Sequence, residues 1–322
     1  MISAVIALAG ALVYGAADFL GGLAARRLRS IAVTAAAAVS GLVLLGLALP
    51  LVGGQWTPRD VGWGVVAGVF GFVAILLLYA CLAIGPMSIL SPLTAIVSAI
   101  APMLWGLLVN QEELTAIGYV GLAVALVAVV LVGFIPGAKV VRPNVRGLVM
   151  AVGAGLAIGG FLIAIDRTSD DSGLMPLVMT RATNTALALI IVGALMLRTV
   201  RRGQPALTAL QPQGARLGAT PTGHADLEHA APADAAVPTG PPSTVRAAWW
   251  LAIGCGILDA GANTMMLLAL RLGDLSIVSA LTALYPAGTI VLAAIVLRER
   301  VASVQWIGLA LALVAGGMLA LA

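Results

Sequence analysis

Three ionisable residues, Asp18, Arg181 and Asp259, stand deep inside apolar runs. A charge in hydrocarbon is costly, so such residues face one another, a wet cavity or a bound solute. Asn184 follows Arg181 by three residues and Asn263 follows Asp259 by four, spacings that put side chains on one helix face. Arg181 and Asp259 are therefore expected to meet across two helices or to share a polar cavity, with the two asparagines extending it. Two chemistries are open: binding a polar solute, or taking up a proton on a carboxyl whose affinity burial raises, Asp259 first among them. Asp18 would line an access route. The competing reading is a static ion pair that pins two helices together. Tyr14, Tyr79, Trp105 and Tyr285 combine apolar bulk with a polar tip, which suits cavity walls as well as packing. Pro92, Pro102 and Pro286 lie inside apolar runs, where a missing N–H favours a kink. Glu112 and Glu299, at the ends of such runs, read as solvated helix ends.

The elements that must position these groups are helices. The chain has 322 residues, 61% hydrophobic and 9% charged, with mean hydropathy +1.10. Apolar runs of about 20 residues are what a bilayer crossing requires, and in lipid the backbone of such a run satisfies itself as a helix. The fold class expected is all-α integral membrane, with spans near 2–23, 31–52, 61–83, 86–109, 114–135, 146–166, 174–198, 247–269, 274–297 and 301–322. The first apolar run starts at once, without a basic leader, and reads as a retained span. Cys81 and Cys255 fall inside runs and read as packing residues. The net charge of +4 comes from arginines at run ends, a topology signal rather than a nucleic-acid surface.

A repeat organises the spans. Residues 273–283 (GDLSIVSALTA) match residues 85–95 (GPMSILSPLTA), 188 positions upstream, at seven of eleven places. The match resumes with Gly121 against Gly308. The expected domains are 1–135 and 146–322, five spans each, joined by a linker at 136–145. A polar Pro/Ala/Gly/Thr tract at 199–246 interrupts the second and is expected to be disordered. Its His224, Asp226, Glu228 and His229 read as low-complexity sequence rather than a metal site. Thirteen Lys and Arg fall in breaks 1–2, 5–6, 7–8 and 9–10, against Arg59, Arg167 and Arg271 in the others. That bias puts both termini outside, and an odd span number per half makes the halves inverted repeats, an arrangement that builds a midplane site with alternating access.

The chain resembles the drug/metabolite transporter superfamily, specifically its ten-span members with two EamA-type repeats. The likeness rests on Tyr14-Gly15-Ala16-Ala17-Asp18-Phe19, on the two repeat segments, and on the helix ends around Glu112–Gly121 and Arg298–Gly308. It spans nearly all of the chain except 199–246. It implies a secondary carrier or exporter of small organic metabolites in the cell membrane, not an enzyme, with no cofactor and no nucleic-acid partner. Family members place their termini inside, opposite to the arginine bias here. Partners expected are a small-molecule substrate, the lipid bilayer and protons as a coupling ion, for a monomer or homodimer. A lipid flippase is the alternative, ahead of a membrane enzyme or a channel. No nucleophile–base pair or metal cluster falls in the spans, and polar groups are too scattered for a conducting stripe.

Overall fold

The computed structural model describes residues 1–25, 27–84, 87–132, 145–210, 242–296 and 302–321. Arg26, most of the linker, the His224–His229 tract and Glu299 lie outside these, as do the side chains of Tyr79 and Pro92. The described helices, in order, are α1 (Ile2–Ala25), α2 (Ser30–Val52), α3 (Pro58–Ile84), α4 (Met87–Leu108), α5 (Ala116–Val132), α6 (Val145–Asp166), α7 (Met175–Arg201), α8 (Pro242–Leu272), α9 (Leu275–Thr282), α10 (Tyr285–Val296) and α11 (Ser303–Ala320). Among the described residues, seven helical stretches are long and apolar enough to cross a membrane, with α9 and α10 counting as one, and two shorter apolar helices, Leu93–Leu108 and Ala116–Val132, accompany them. The chain is a multi-pass helical membrane protein.

The polar tract is helical at both margins. Helix α7 runs on to Arg201, residues Ala206–Leu210 form a 3-10 turn against it, and α8 already starts at Pro242. Within the tract, the expectation of disorder from 199 onward is corrected there. Arg29 Nη1 donates to the Ala209 carbonyl (3.2 Å), and Arg29 N–H to that of Leu210 (3.0 Å), so the turn satisfies groups at the α1–α2 break.

Packing pairs helices from opposite halves. The largest interfaces join α1 with α8, α3 with α6, and α5 with α11. Lipid provides no hydrophobic drive between helices, so their association depends on small residues that admit close contact. A Cβ added to Gly10 of α1 would come within 3.3 Å of Met265, and one added to Gly153 of α6 within 3.1 Å of Leu77. Gly121 near the start of α5 faces Leu319 near the end of α11, while Gly308 near the start of α11 faces Val132 at the end of α5. Helices α5 and α11 therefore run antiparallel, and their contacts are reciprocal.

Of two further features, the first follows the kink expected at Pro286 and the second was not expected. Span nine is two helices: a turn at Ala283 and Leu284 separates α9 from α10, and Pro286, second residue of α10, has no N–H for a bond back to Thr282. Glu112 is no solvated helix end. Its carboxylate oxygens accept from the N–H groups of Leu275 (2.9 Å) and Ser276 (3.0 Å), capping α9 from the α4–α5 loop. A carboxylate there satisfies exposed donors and complements the helix dipole. Gly106 leaves the space it occupies.

Replacing Gly155 tests this packing, because its Cβ would lie 2.7 Å from the Thr94 carbonyl oxygen of α4. Gly155→Ala should cost about 1–3 kcal/mol through overpacking. Gly46→Ala, which meets nothing within 4 Å among the described residues, should not lower the midpoint of thermal unfolding in detergent.

Candidate functional site

A cavity of about 90 Å³ lies inside the bundle, walled by α1, α3, α4, α6, α7, α8 and the α9–α10 break. Its volume matches roughly three waters. The charged wall is Arg181 of α7 and Asp259 of α8, joined by an ion pair from Arg181 Nη2 to Asp259 Oδ2. Their side chains are 12% and 11% exposed, so the pair faces the cavity yet is largely withdrawn from water. Asn263 Nδ2 donates to the Asp259 carbonyl oxygen (2.8 Å) and to Oδ1 (3.3 Å), so the carboxylate receives bonds from two helices, α7 and α8. Asn184 also lines the cavity, and its Oδ1 is buried without a hydrogen-bond partner among the described residues. Thr282 at the helix break presents a hydroxyl in the same condition. The cavity thus offers a cation, an anion, an unfilled acceptor and an unfilled hydroxyl.

Tyr14, Phe161, Tyr285 and Met266 make the apolar wall. Tyr14 donates its hydroxyl to Met266 Sδ at 3.7 Å, a soft contact that leaves room for a better partner. Small residues seat the charges. The added Cβ of Gly41 would lie 3.7 Å from Arg181 Cδ, and that of Gly71 within 3.8 Å of both Asn184 amide atoms.

The residues singled out in the sequence divide as follows. Tyr14, Arg181, Asn184, Asp259, Asn263 and Tyr285 converge on this cavity. Asp18 is 1% exposed, one turn beyond Tyr14, and is not among the lining residues. Trp105 sits elsewhere, with the Arg167 guanidinium 5.4 Å from its ring centre. Pro102 packs against Gly159, and Pro286 helps to open the break that exposes Thr282. Sequence reasoning missed Gly71, Ser98, Phe161, Thr180, Ser279 and Thr282 as lining residues. The repeat carried one signal for them: Gly71 stands 188 positions before Asp259, and Thr94 188 before Thr282.

These features define an integral membrane protein with an internal polar site, and comparison with known proteins specifies it further. The model of the EamA-like transporter family matches residues 1–134 and 233–321, and the chain belongs to that family. No curated protein matches. One solved crystal structure superposes with a TM-score of 0.68, covering 99% of this chain and 96% of its own at 15% identity, a likeness of fold alone.

Breaking a withdrawn ion pair strands one charge. Arg181→Ala should cost about 3–5 kcal/mol of stability, whereas Arg181→Met combined with Asp259→Leu should recover most of it. Thermal unfolding of the purified variants checks both.

Proposed function

We propose that the chain is a secondary carrier that exports or exchanges a small organic metabolite across the cytoplasmic membrane, its halves rocking about the Arg181–Asp259 cavity. The observation that carries this reading is the cavity itself: a paired cation and anion, with unfilled hydrogen-bonding groups, enclosed by helices of both halves. Membership of the EamA-like transporter family supports it.

The reading includes ten spans in two inverted five-helix repeats, 1–135 and 146–322. Reciprocal packing supports the inversion. Equivalent helices α5 and α11 are antiparallel, and Gly10–Met265 and Gly153–Leu77 are equivalent contacts, Leu77 and Met265 being 188 positions apart. Alternating access follows from such an arrangement, since exchanging the conformations of the two halves turns an opening on one face into an opening on the other.

A flippase is the alternative, and the Arg181–Asp259 pair in the cavity wall suits a polar solute better than lipid chains. Protons remain the proposed coupling ion, with the solute competing for the groups that the ion pair now satisfies.

Purified protein in liposomes should take up members of a small-metabolite panel saturably, without ionic conductance, and faster with a pH gradient. Asp259→Asn should lower uptake by about tenfold or more, the worth of one charge-assisted contact. The swap Arg181→Asp with Asp259→Arg separates binding from pinning: it should restore stability but not uptake. Normal uptake by the swapped protein would reduce the pair to a staple.

A further inference from the structure

A second cavity lies above the first. It measures about 450 Å³, is polar, and is lined by Arg59, Arg167 and Arg271, the three cations of the arginine-poor face, together with Asp166 and Asp170. The loops of that face are tied together around it. Asn110 Nδ2 donates to Asp166 Oδ2 (3.2 Å), Gln55 N–H to the Asp171 carbonyl (2.8 Å), and Ser169 N–H and Oγ–H to the Asp60 carboxylate (2.8 and 2.7 Å). This vestibule is open to water, as the 85% exposure of the Asp170 side chain indicates.

The two cavities share two helices in the same register. Leu162 of α6 lines the central cavity and Asp166 the vestibule; Met266 of α8 lines the central cavity and Leu270 the vestibule. Each step is four residues, about 6 Å of helix. Ala164, Ile165, Leu267 and Ala269, at 1%, 0%, 4% and 0% exposure, are buried residues of those two intervals. The barrier between the vestibule and the Arg181–Asp259 site is therefore one helical turn thick.

Arg271, at the end of α8, ties that helix to the loop that follows α6. Its Nη1 donates to the Thr168 carbonyl and, at 3.3 Å, to Asp170 Oδ1; its Nη2 donates to Thr168 Oγ1 (2.6 Å) and Ser172 Oγ (3.1 Å). All of these acceptors belong to the α6–α7 loop. One guanidinium thus joins the end of α8 to the end of α6, the two helices that line both cavities. We propose that Arg271 is the clasp of a gate on the arginine-poor face, and that its release opens the α6–α8 seam and connects the vestibule to the central cavity. The proposal rests on the carrier reading for its purpose but not for its test, which needs no substrate.

Reporter cysteines read the gate in liposome-reconstituted protein lacking Cys81 and Cys255, with a charged, membrane-impermeant thiol reagent outside. Asp171→Cys, exposed on the arginine-poor face, identifies the molecules presenting that face outward and sets the full labelling rate. Leu162→Cys reports the central cavity, and Ala128→Cys, at 0% exposure on α5 and outside both cavities, reports general loosening. With Arg271 intact, Leu162→Cys should react far more slowly than Asp171→Cys. Arg271→Ala should speed Leu162→Cys labelling by about tenfold or more, since several charge-assisted bonds are lost, and leave Ala128→Cys unchanged. Arg271→Lys, which keeps the charge but not the fork, should fall between. If Arg271→Ala does not fold, Thr168→Val with Ser172→Ala removes two acceptors and should raise the same rate by a smaller factor. An unchanged Leu162→Cys rate in a folded clasp variant would overturn the proposal, as would an equal rise at Ala128→Cys. Gate opening in a protein that moves no solute would leave the clasp standing and sink the carrier instead.

Discussion

Close contact between helices of opposite halves is the constraint on which this structure depends. In water, burial of apolar surface would hold such a bundle together; in lipid that drive is absent, and van der Waals fit takes its place. The glycines of α1, α3, α6 and α8 are therefore structural elements in their own right. Gly15 has the backbone of α10 so near that an added Cβ would sit 2.5 Å from Thr289 N, and Thr289 Oγ1 returns a bond to the Gly15 carbonyl (3.1 Å). Gly155 stands against Thr94 of α4 in a similar way, and Thr94 Oγ1 bonds the Ala151 carbonyl at 3.1 Å. These threonines satisfy themselves on a neighbouring backbone, which adds direction to a contact that shape alone would leave free to slide.

The same pairing of halves creates an asymmetric cavity. Asp259 occupies the place 188 positions after Gly71, and both line the cavity. One half brings charge where the other brings space: Asn184 fits beside Gly71, and the Arg181 stem beside Gly41. A symmetric pair of aspartates would set like charges near one another in a site of low polarity, which is strongly unfavourable. Divergence of the repeats at these positions lets a single ion pair be neutral, satisfied and still partly open to the cavity.

Much of this could be read from residue types. Asp259 and Arg181 stand out in the sequence because ionisable groups are rare in spans, and Asn184 and Asn263, at three- and four-residue spacings from them, line the same cavity. Pro286 marked the broken helix. What remained hidden depended on long-range approach. Glu112 looks like any polar helix end, and nothing local shows that the N-terminus of α9, 163 residues away, comes to meet it. Trp105 looked like a cavity wall because aromatic rings suit cavities and interfaces equally; the partner that decides, Arg167, lies on another helix end. Thr282 and Ser98 are ordinary small polar residues whose exposure to the cavity follows from the α9–α10 break and the α4 face it uncovers. Periodicity reports a helix's own faces well but says little about which neighbour covers each.

The two layers of contact differ in strength in the way that the proposed rocking requires. Glycine-seated contacts within the membrane resist displacement, because even a methyl group there costs about 1–3 kcal/mol. The ties on the arginine-poor face are hydrogen bonds among loops in reach of water, each worth about 0.5–1.5 kcal/mol net, or somewhat more where charged. Arg271 with its partners therefore contributes a few kcal/mol at most, and its ion-pair partner Asp170 is too exposed to add much. Differential binding of a solute to two states can shift an equilibrium by only its own preference, which for a small molecule is also a few kcal/mol. A seal of comparable strength can be opened by the solute it admits. A seal built like the helix core could not, and so in the proposed carrier the gate belongs in the polar loops while the pivots belong among the glycines.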